Sequence, residues 1–212
     1  RGLGDVYKRQ DLCMGSKADE PINRRLVMFV PFYMQEYFNK AQIVDKEGQT
    51  RPLVAKEEKI VITGKTPADF VSRGLPPMQS ASLLLILVAG ISIYGIRRGK
   101  TLWGIDLILF LVAGMAGCIL AFLALFSQHP AVSPNYILFV FHPFHLFCLP
   151  FMLSRVRKRE ISRYMLVNFA VLTLFIGLWT IIPQRIPPAV LPLALCLLIR
   201  SASNLILTYK RK

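Results

Sequence analysis

Apolar residues are concentrated in five long stretches that fill the last two thirds of the chain. Each stretch is close to the length that a helix needs to cross roughly 30 Å of hydrocarbon. The stretches cover residues 78–96, 102–126, 136–153, 164–182 and 188–207. This pattern predicts five transmembrane helices and therefore an integral membrane protein.

The short gaps between these stretches alternate between basic and nearly uncharged. The basic ones are the first gap with Arg97, Arg98 and Lys100, the third with Arg155, Arg157, Lys158, Arg159 and Arg163, and the tail with Lys210, Arg211 and Lys212. The second gap, 127–135, has no cation, and the fourth has only Arg185. Because short basic loops stay in the cytoplasm, we expect the residues before Met78 to lie outside and the C-terminus to lie in the cytoplasm.

The net charge of +14 follows mostly from this topology. After residue 77 the chain has 13 cations, of which 11 lie in the basic gaps or the tail. Residues 1–77 carry 13 cations against 10 acidic residues. We therefore expect membrane lipids, including anionic ones, as partners and no nucleic acid. The oligomeric state is left open.

Residues 1–77 divide into an artefact and a soluble remnant. The first ten residues, RGLGDVYKRQ, resemble translated sequencing-adapter contamination, so we expect native coding to begin near Asp11 as the C-terminal part of a longer protein. Residues 24–41 are apolar, and their second half predicts a helix that starts near Pro31. Short strands should follow in two regions, 42–54 and 55–63, with a turn at 46–48. Residues 11–77 are thus the end of a periplasmic domain with its connector, and 78–212 form the membrane domain.

The expected fold class is an all-α membrane protein. A five-transmembrane-helix bundle is preceded by a short α+β fragment of a soluble periplasmic domain, since about fifty residues cannot bury a core of their own.

All three histidines fall within seventeen residues, at His129, His142 and His145. If the third helix begins near Asn135, His142 lies on the same face as Asn135 and points into the bundle. Pro143 and Pro150 should bend this helix. Three interpretations stay open for Asn135, His142 and His145. They could form a structural hydrogen-bond network, line a pocket for lipid or substrate, or ligate a metal or haem. His129 would lie in the loop above the helix entrance.

Asp106 and Arg200 are the charged residues inside the apolar stretches. Both lie toward the cytoplasmic side, and Asn204 is one turn below Arg200 on the same helix face. We expect Asp106 and Arg200 to pair or to share a water-lined cavity; the alternative is that each side chain reaches the interface alone.

Candidate catalytic chemistry is scarce in this chain. Cys13 is outside the predicted spans, but no histidine precedes His129 to act as its base, so a structural thiol is the better interpretation. The sequence has no zinc signature, no phosphate-binding glycine loop and no paired carboxylates. We therefore expect no metal, no cofactor and no catalytic residue in residues 1–212.

The run LVMFVPFYMQEYFNKAQIVDKEGQTRPLV, and HPAVSPNYILFVFHPFHL leading into the third span, resemble the C-terminal part of the lipoprotein N-acyltransferase family of Bacteroidota, called Lnb. The resemblance covers about residues 11–212. It implies a papain-like periplasmic cysteine domain followed by a five-helix membrane domain. Together with the loop charges, it implies a bacterial inner-membrane protein with a periplasmic N-terminal segment and a cytoplasmic C-terminus. The family's catalytic Cys and His would lie upstream, and no matching motif occurs in this sequence.

This resemblance implies acyl transfer to the N-terminal amine of a lipoprotein cysteine, through an acyl-thioester on the missing Cys. The present chain would anchor the catalytic domain and present lipid to it, and would be inactive alone. A non-catalytic membrane anchor or scaffold is the alternative. A transporter is disfavoured, because five helices offer no inverted repeat.

Overall fold

A computed structural model describes residues 12–21, 31–44, 46, 48–56, 58, 75–128 and 130–210. The chain divides into two compact units. The smaller one is Glu20–Asp69, and the larger one combines Arg1–Asp19 with Phe70–Lys212.

The smaller unit contains one helix and one hairpin among its described residues. Helix α1 is Pro31–Lys40, and strands β1, Gln42–Val44, and β2, Thr50–Pro52, pair antiparallel with Ile43 opposite Arg51. Gly48 in the turn has φ 79°, a conformation that glycine adopts without strain. The soluble α+β part is thus a small hairpin beside a helix. The second predicted strand region lies largely outside the described residues.

Three long apolar helices dominate the larger unit. They are α2, Pro77–Arg98, α3, Trp103–Phe126, and a C-terminal helix, Val190–Tyr209. Within the part of the chain that the structure describes, these three are long and apolar enough to cross a membrane. Proline at the first turn favours the start of α2, and Gly99, at φ 61°, ends it in the left-handed conformation.

The third predicted span is not one continuous helix. A 3-10 turn, Tyr136–Phe139, is followed by α4, Phe144–Phe147, and α5, Leu149–Arg157. The two halves of this region are bent by 76°. Proline donates no backbone hydrogen bond and clashes with the preceding turn, so Pro143 and Pro150 each force a new helix start. The prediction of a bend at these prolines is confirmed, but the expected single helix over 136–153 is wrong.

The fourth predicted span forms a shorter helix, α6, Arg163–Gly177. Ser162 caps its N-terminus by accepting a hydrogen bond from the N–H of Met165. Turns replace helix over residues 178–181, before the proline-rich gap that leads to the last helix. The C-terminal helix is α7 in this numbering. The fold is therefore mostly helical, with three apolar spans, or four if the bent region counts as one.

Helix α7 packs along both α2 and α6, and α3 packs on the bent region. Two glycines of α3 allow the second contact. A Cβ at Gly117 would lie 2.5 Å from the backbone of His142, and one at Gly114 would lie 2.6 Å from the backbone nitrogen of Leu146. The bent region therefore lies directly against α3, backbone to backbone.

The two ends of the bent region contact opposite ends of the bundle. The Arg157 guanidinium lies 4.5 Å from the ring centroid of Trp103, the first residue of α3. At the other end, the N–H of Tyr136 donates to Gln184, which lies between α6 and α7. The bent region thus extends from one end of the bundle to the other.

Candidate functional site

A buried ion pair joins α3 and α7. Arg200 donates from Nε to Asp106 Oδ1 at 2.6 Å and from Nη2 to Asp106 Oδ2 at 3.0 Å. Arg200 is 1% exposed and Asp106 is fully buried. This two-pronged contact matches the planar guanidinium to the carboxylate, which is the strongest geometry for such a pair. The structure brings the two charges that stand out in the sequence into direct contact.

Two further polar side chains complete this cluster. Arg200 Nη1 donates to Ser92 Oγ of α2 at 3.0 Å, and Asn204 Nδ2 donates to Asp106 Oδ2 at 3.0 Å. Three helices are therefore tied together at one level. Asn204 is identifiable from its spacing to Arg200, but Ser92 is not, because a serine in an apolar stretch is common and carries no distinguishing signal.

A second polar cluster binds residues 12–19 to the opposite end of the bundle. Asn135 Nδ2 donates to the carbonyl of Leu12 at 3.0 Å, and Gln184 Nε2 donates to the carbonyl of Met14 at 2.9 Å. Gln184 also donates to Asn135 Oδ1 at 3.2 Å, so the two amides support each other. We name Asn135 and Gln184 the amide clamp. Gln184 is not among the residues predicted from the sequence, since only the fold brings it to Asn135.

Backbone contacts add to the amide clamp. Gly15 N donates to Ala131 O at 2.7 Å, and Ser16 N donates to Pro134 O at 2.8 Å. A Cβ at Gly15 would lie 2.4 Å from the carbonyl oxygen of Pro134, so only glycine fits this approach. Residues 12–19 are therefore held by main-chain and side-chain hydrogen bonds to the loops that precede the bent region and α7.

Of the two described histidines, His142 lies just before α4 and His145 lies within it. His145 is fully buried, and its Nε2 lies 2.9 Å from the carbonyl of Val140. A carbonyl only accepts, so Nε2 carries a proton, and Nδ1 shares a hydrogen bond of 2.6 Å with the Tyr164 hydroxyl. The ring of His142 stacks on that of His145 with centroids 3.9 Å apart.

The histidines and Asn135 do not form one constellation. The hydrogen bonds of the Asn135 side chain go to Leu12, Ile137 and Gln184, whereas His145 bonds to Val140 and Tyr164. The expected shared helix face is absent because residues 140–143, which lie between Asn135 and α4, are not helical. His142 Nδ1 is buried without a hydrogen-bond partner. His129 lies outside the described residues.

Metal binding gains no support from the described part of the chain, where no three His, Cys, Asp or Glu side chains group closely enough to hold an ion. The cysteines there, Cys13, Cys118, Cys148 and Cys196, are all free thiols. Cys13 and Cys196 line one apolar cavity of about 510 Å³ between α2, α3 and α7.

Comparison with known proteins gives one match. Residues 69–212 match the model of a family described as the Lnb transmembrane domain. No curated protein and no solved structure matches the chain.

Proposed function

This chain belongs to the Lnb transmembrane domain family, and from that premise we propose that it anchors and supplies lipid to a periplasmic catalytic domain of a lipoprotein N-acyltransferase. The membrane location itself follows from the family match and the apolar helices. The anchoring, the lipid supply and the acyl transfer belong to the proposal. The nucleophile would stand outside residues 1–212, and no residue of this chain takes a catalytic role.

We also propose that the bundle crosses the inner membrane five times. The bent region contacts Trp103 at one end of the bundle and Gln184 at the other, which supports a crossing despite the 76° bend. Helix α6, with 15 residues, spans about 22 Å, and the turns after it lengthen its path. A bent segment can cross a membrane where neighbouring helices cover the freed backbone groups, as α3 does here.

The amide clamp is the observation that carries the anchoring role. An anchor must hold the exported part of the protein at a defined place, and Asn135 and Gln184 bind main-chain carbonyls of the segment that precedes the helices. Every residue has a main-chain carbonyl, so the amide clamp can hold this segment in place whatever side chains the segment carries. The exported chain would therefore leave the membrane beside the outer ends of α3, α6 and α7.

The test is lipoprotein N-acylation by a full-length protein that carries this membrane domain, with the product measured by mass spectrometry. We expect the Asn135→Ala, Gln184→Ala double variant to retain membrane insertion but to lose most of its acylation. Gln128→Ala, an exposed amide of the outer loop, is the matched control and should acylate normally.

Replacing residues 77–210 with an unrelated five-span anchor separates this proposal from a plain anchor or scaffold. We expect the exchanged protein to reach the membrane and fail to acylate. Normal acylation by the exchanged protein would contradict the supply of lipid by this domain and favour the anchor alone.

His142→Ala in the same assay tests the predicted approach of lipid past His142 and His145. Unchanged acylation would show that His142 has no such role.

A further inference from the structure

An apolar groove runs between α2, α3 and α7. It lies between the ion pair and the N-terminal end of α7. Two cavities of about 510 and 590 Å³ meet there and share the side chains of Leu12, Leu84 and Leu193. Volumes in this range are typical of sites for small organic ligands. We name the combined space the α2–α3–α7 groove.

The groove has a physical cause in the packing of its three helices. Ser92, Asp106 and Arg200 hold α2, α3 and α7 together at the closed end. Beyond them α7 packs closely with α2, whereas α3 packs mainly on the bent region. Small side chains of α3, Ala113 and Ala116, line the gap that results. The ion pair is thus the floor of the groove.

The groove opens sideways, toward the hydrocarbon of the bilayer. Three side chains of its wall, Ile108, Val112 and Ile119, are 63%, 61% and 61% exposed on the membrane-facing surface. Its walls are almost wholly apolar, so water would find too few partners to occupy it. An empty space of this size would forfeit packing contacts, whereas hydrocarbon from the bilayer can fill it.

The length of the groove matches one acyl chain of a lipid in one leaflet of the bilayer. The lining extends along α3 from Ile108 to Leu120, which is about 18 Å, and along α7 from Val190 to Leu197, about 10 Å. Half of the hydrocarbon thickness of a bilayer is roughly 15 Å. An acyl chain that enters at the outer ends of α2 and α7 would therefore reach the floor.

The charges at the groove's open end suit a phosphate headgroup. Lys17 and Arg185 are exposed cations close in sequence to Cys13 and Pro187, which line the groove. The backbone N–H of Arg185 donates to Asp19 Oδ2 at 2.7 Å, which holds the segment of Lys17 beside Arg185. Asp19 keeps its negative charge, and the two cations exceed that charge by one, which would favour a phosphate here.

We infer that the α2–α3–α7 groove binds one acyl chain of an outer-leaflet phospholipid, with Leu12 and Cys13 covering the chain near its headgroup. The inference deepens the proposed lipid supply and rests on it for the orientation of the groove. Phe141 of the bent region lines the groove beside α3, whereas His142 and His145 are not part of the lining.

The test uses the 212-residue chain in nanodiscs that contain a trace of phosphatidylethanolamine with a photoreactive diazirine on one acyl chain. After transfer to detergent, wild-type protein should retain the probe, and illumination should label α3 between Ile108 and Leu120. Leu84→Trp fills the groove and should lower retention about tenfold, since each displaced methylene gives up its packing contacts. Leu87→Trp, one turn along α2 and 58% exposed, is the matched control and should retain the probe.

A second variant and a competitor keep the test decisive. Ala116→Phe fills the groove from α3 and should reproduce the loss, while monodisperse elution verifies folding of both variants. Equal labelling of α3 and of the membrane-facing surface of α6 would overturn the site. Displacement by palmitate but not by unlabelled phospholipid would overturn the phospholipid as occupant. Probe retention is measured without acyl transfer. Loss of retention with normal acylation would therefore contradict the groove alone, and loss of acylation with normal retention would contradict the proposed function alone.

Discussion

Asp106 and Arg200 are two full charges in a region where ionic groups are costly. Their burial is tolerated because all three guanidinium nitrogens of Arg200 donate hydrogen bonds. Nε and Nη2 donate to Asp106, and Nη1 donates to Ser92. Removing one partner leaves the other charge buried and uncompensated. Removing both leaves an apolar contact, which the surrounding helices can accommodate.

We therefore expect Arg200→Met to destabilise the bundle by about 3–5 kcal/mol, and Asp106→Leu to do the same. The double variant should be more stable than either single one. Unfolding in mixed micelles, followed by circular dichroism, gives the three free energies. Additive losses in the double variant would show that the two side chains do not depend on each other.

At the scale of single residues, the sequence identifies those whose type is unusual for their surroundings. A charge in an apolar stretch is conspicuous, and so Asp106 and Arg200 stand out by residue type alone. Gln184 and Ser92 do not, because amides in loops and serines in membrane helices are ordinary. Their partners, Asn135 and Arg200, are 49 and 108 residues away in the chain, and only the fold brings them together.

Among the elements, the bent region depends on close backbone contact with α3. Any side chain at Gly117 would displace the backbone of His142, which cannot move without disturbing the His145 and Tyr164 hydrogen bonds. Backbone gives way less readily than the end of a flexible side chain. The cost of a single methyl group should therefore be large here.

We expect Gly117→Ala to destabilise the protein by about 1–3 kcal/mol. Gly104→Ala lies in the same helix, where a Cβ meets nothing within 4 Å. It should be neutral or should stabilise by up to about 1 kcal/mol, because alanine favours helix over glycine. Thermal unfolding of both variants in one detergent measures the contrast. Equal melting temperatures would mean that the bent region is not packed on α3 in solution.

The helical elements differ in how far the pattern of apolar residues predicts them. It places α2, α3 and α7 within a few residues, since each is a long apolar run with a proline, glycine or charge at its ends. It cannot place the breaks in the third stretch, because hydrophobicity reports burial in lipid and not backbone continuity. Pro143 and Pro150 signal a bend, but they do not predict the 76° angle between the segment that ends at Phe147 and the helix that begins at Leu149.

For the whole molecule, the direction of each crossing follows from where the ends of the helices lie. Arg200 of α7 pairs with Asp106, four residues into α3, so the C-terminal half of α7 lies beside the start of α3. Arg157 lies beside Trp103 at that same end. The basic gaps 97–100 and 155–163 and the C-terminal end of α7 therefore share one side of the bundle, which we expect to be the cytoplasmic side.

Reporter fusions in a bacterial host test this arrangement. Alkaline phosphatase, which is active only when exported, should be active after Gln128 and inactive after Arg159 and after Lys212. Green fluorescent protein should give the opposite result at each position. The fusion after Arg159 is decisive for the bent region, because a re-entrant loop from the outer side would leave that gap outside the cell. Phosphatase activity after Arg159 would mean that the bent region does not cross the membrane and would contradict the five-span topology. Fluorescence after Arg159, with none after Gln128, would establish that it does cross.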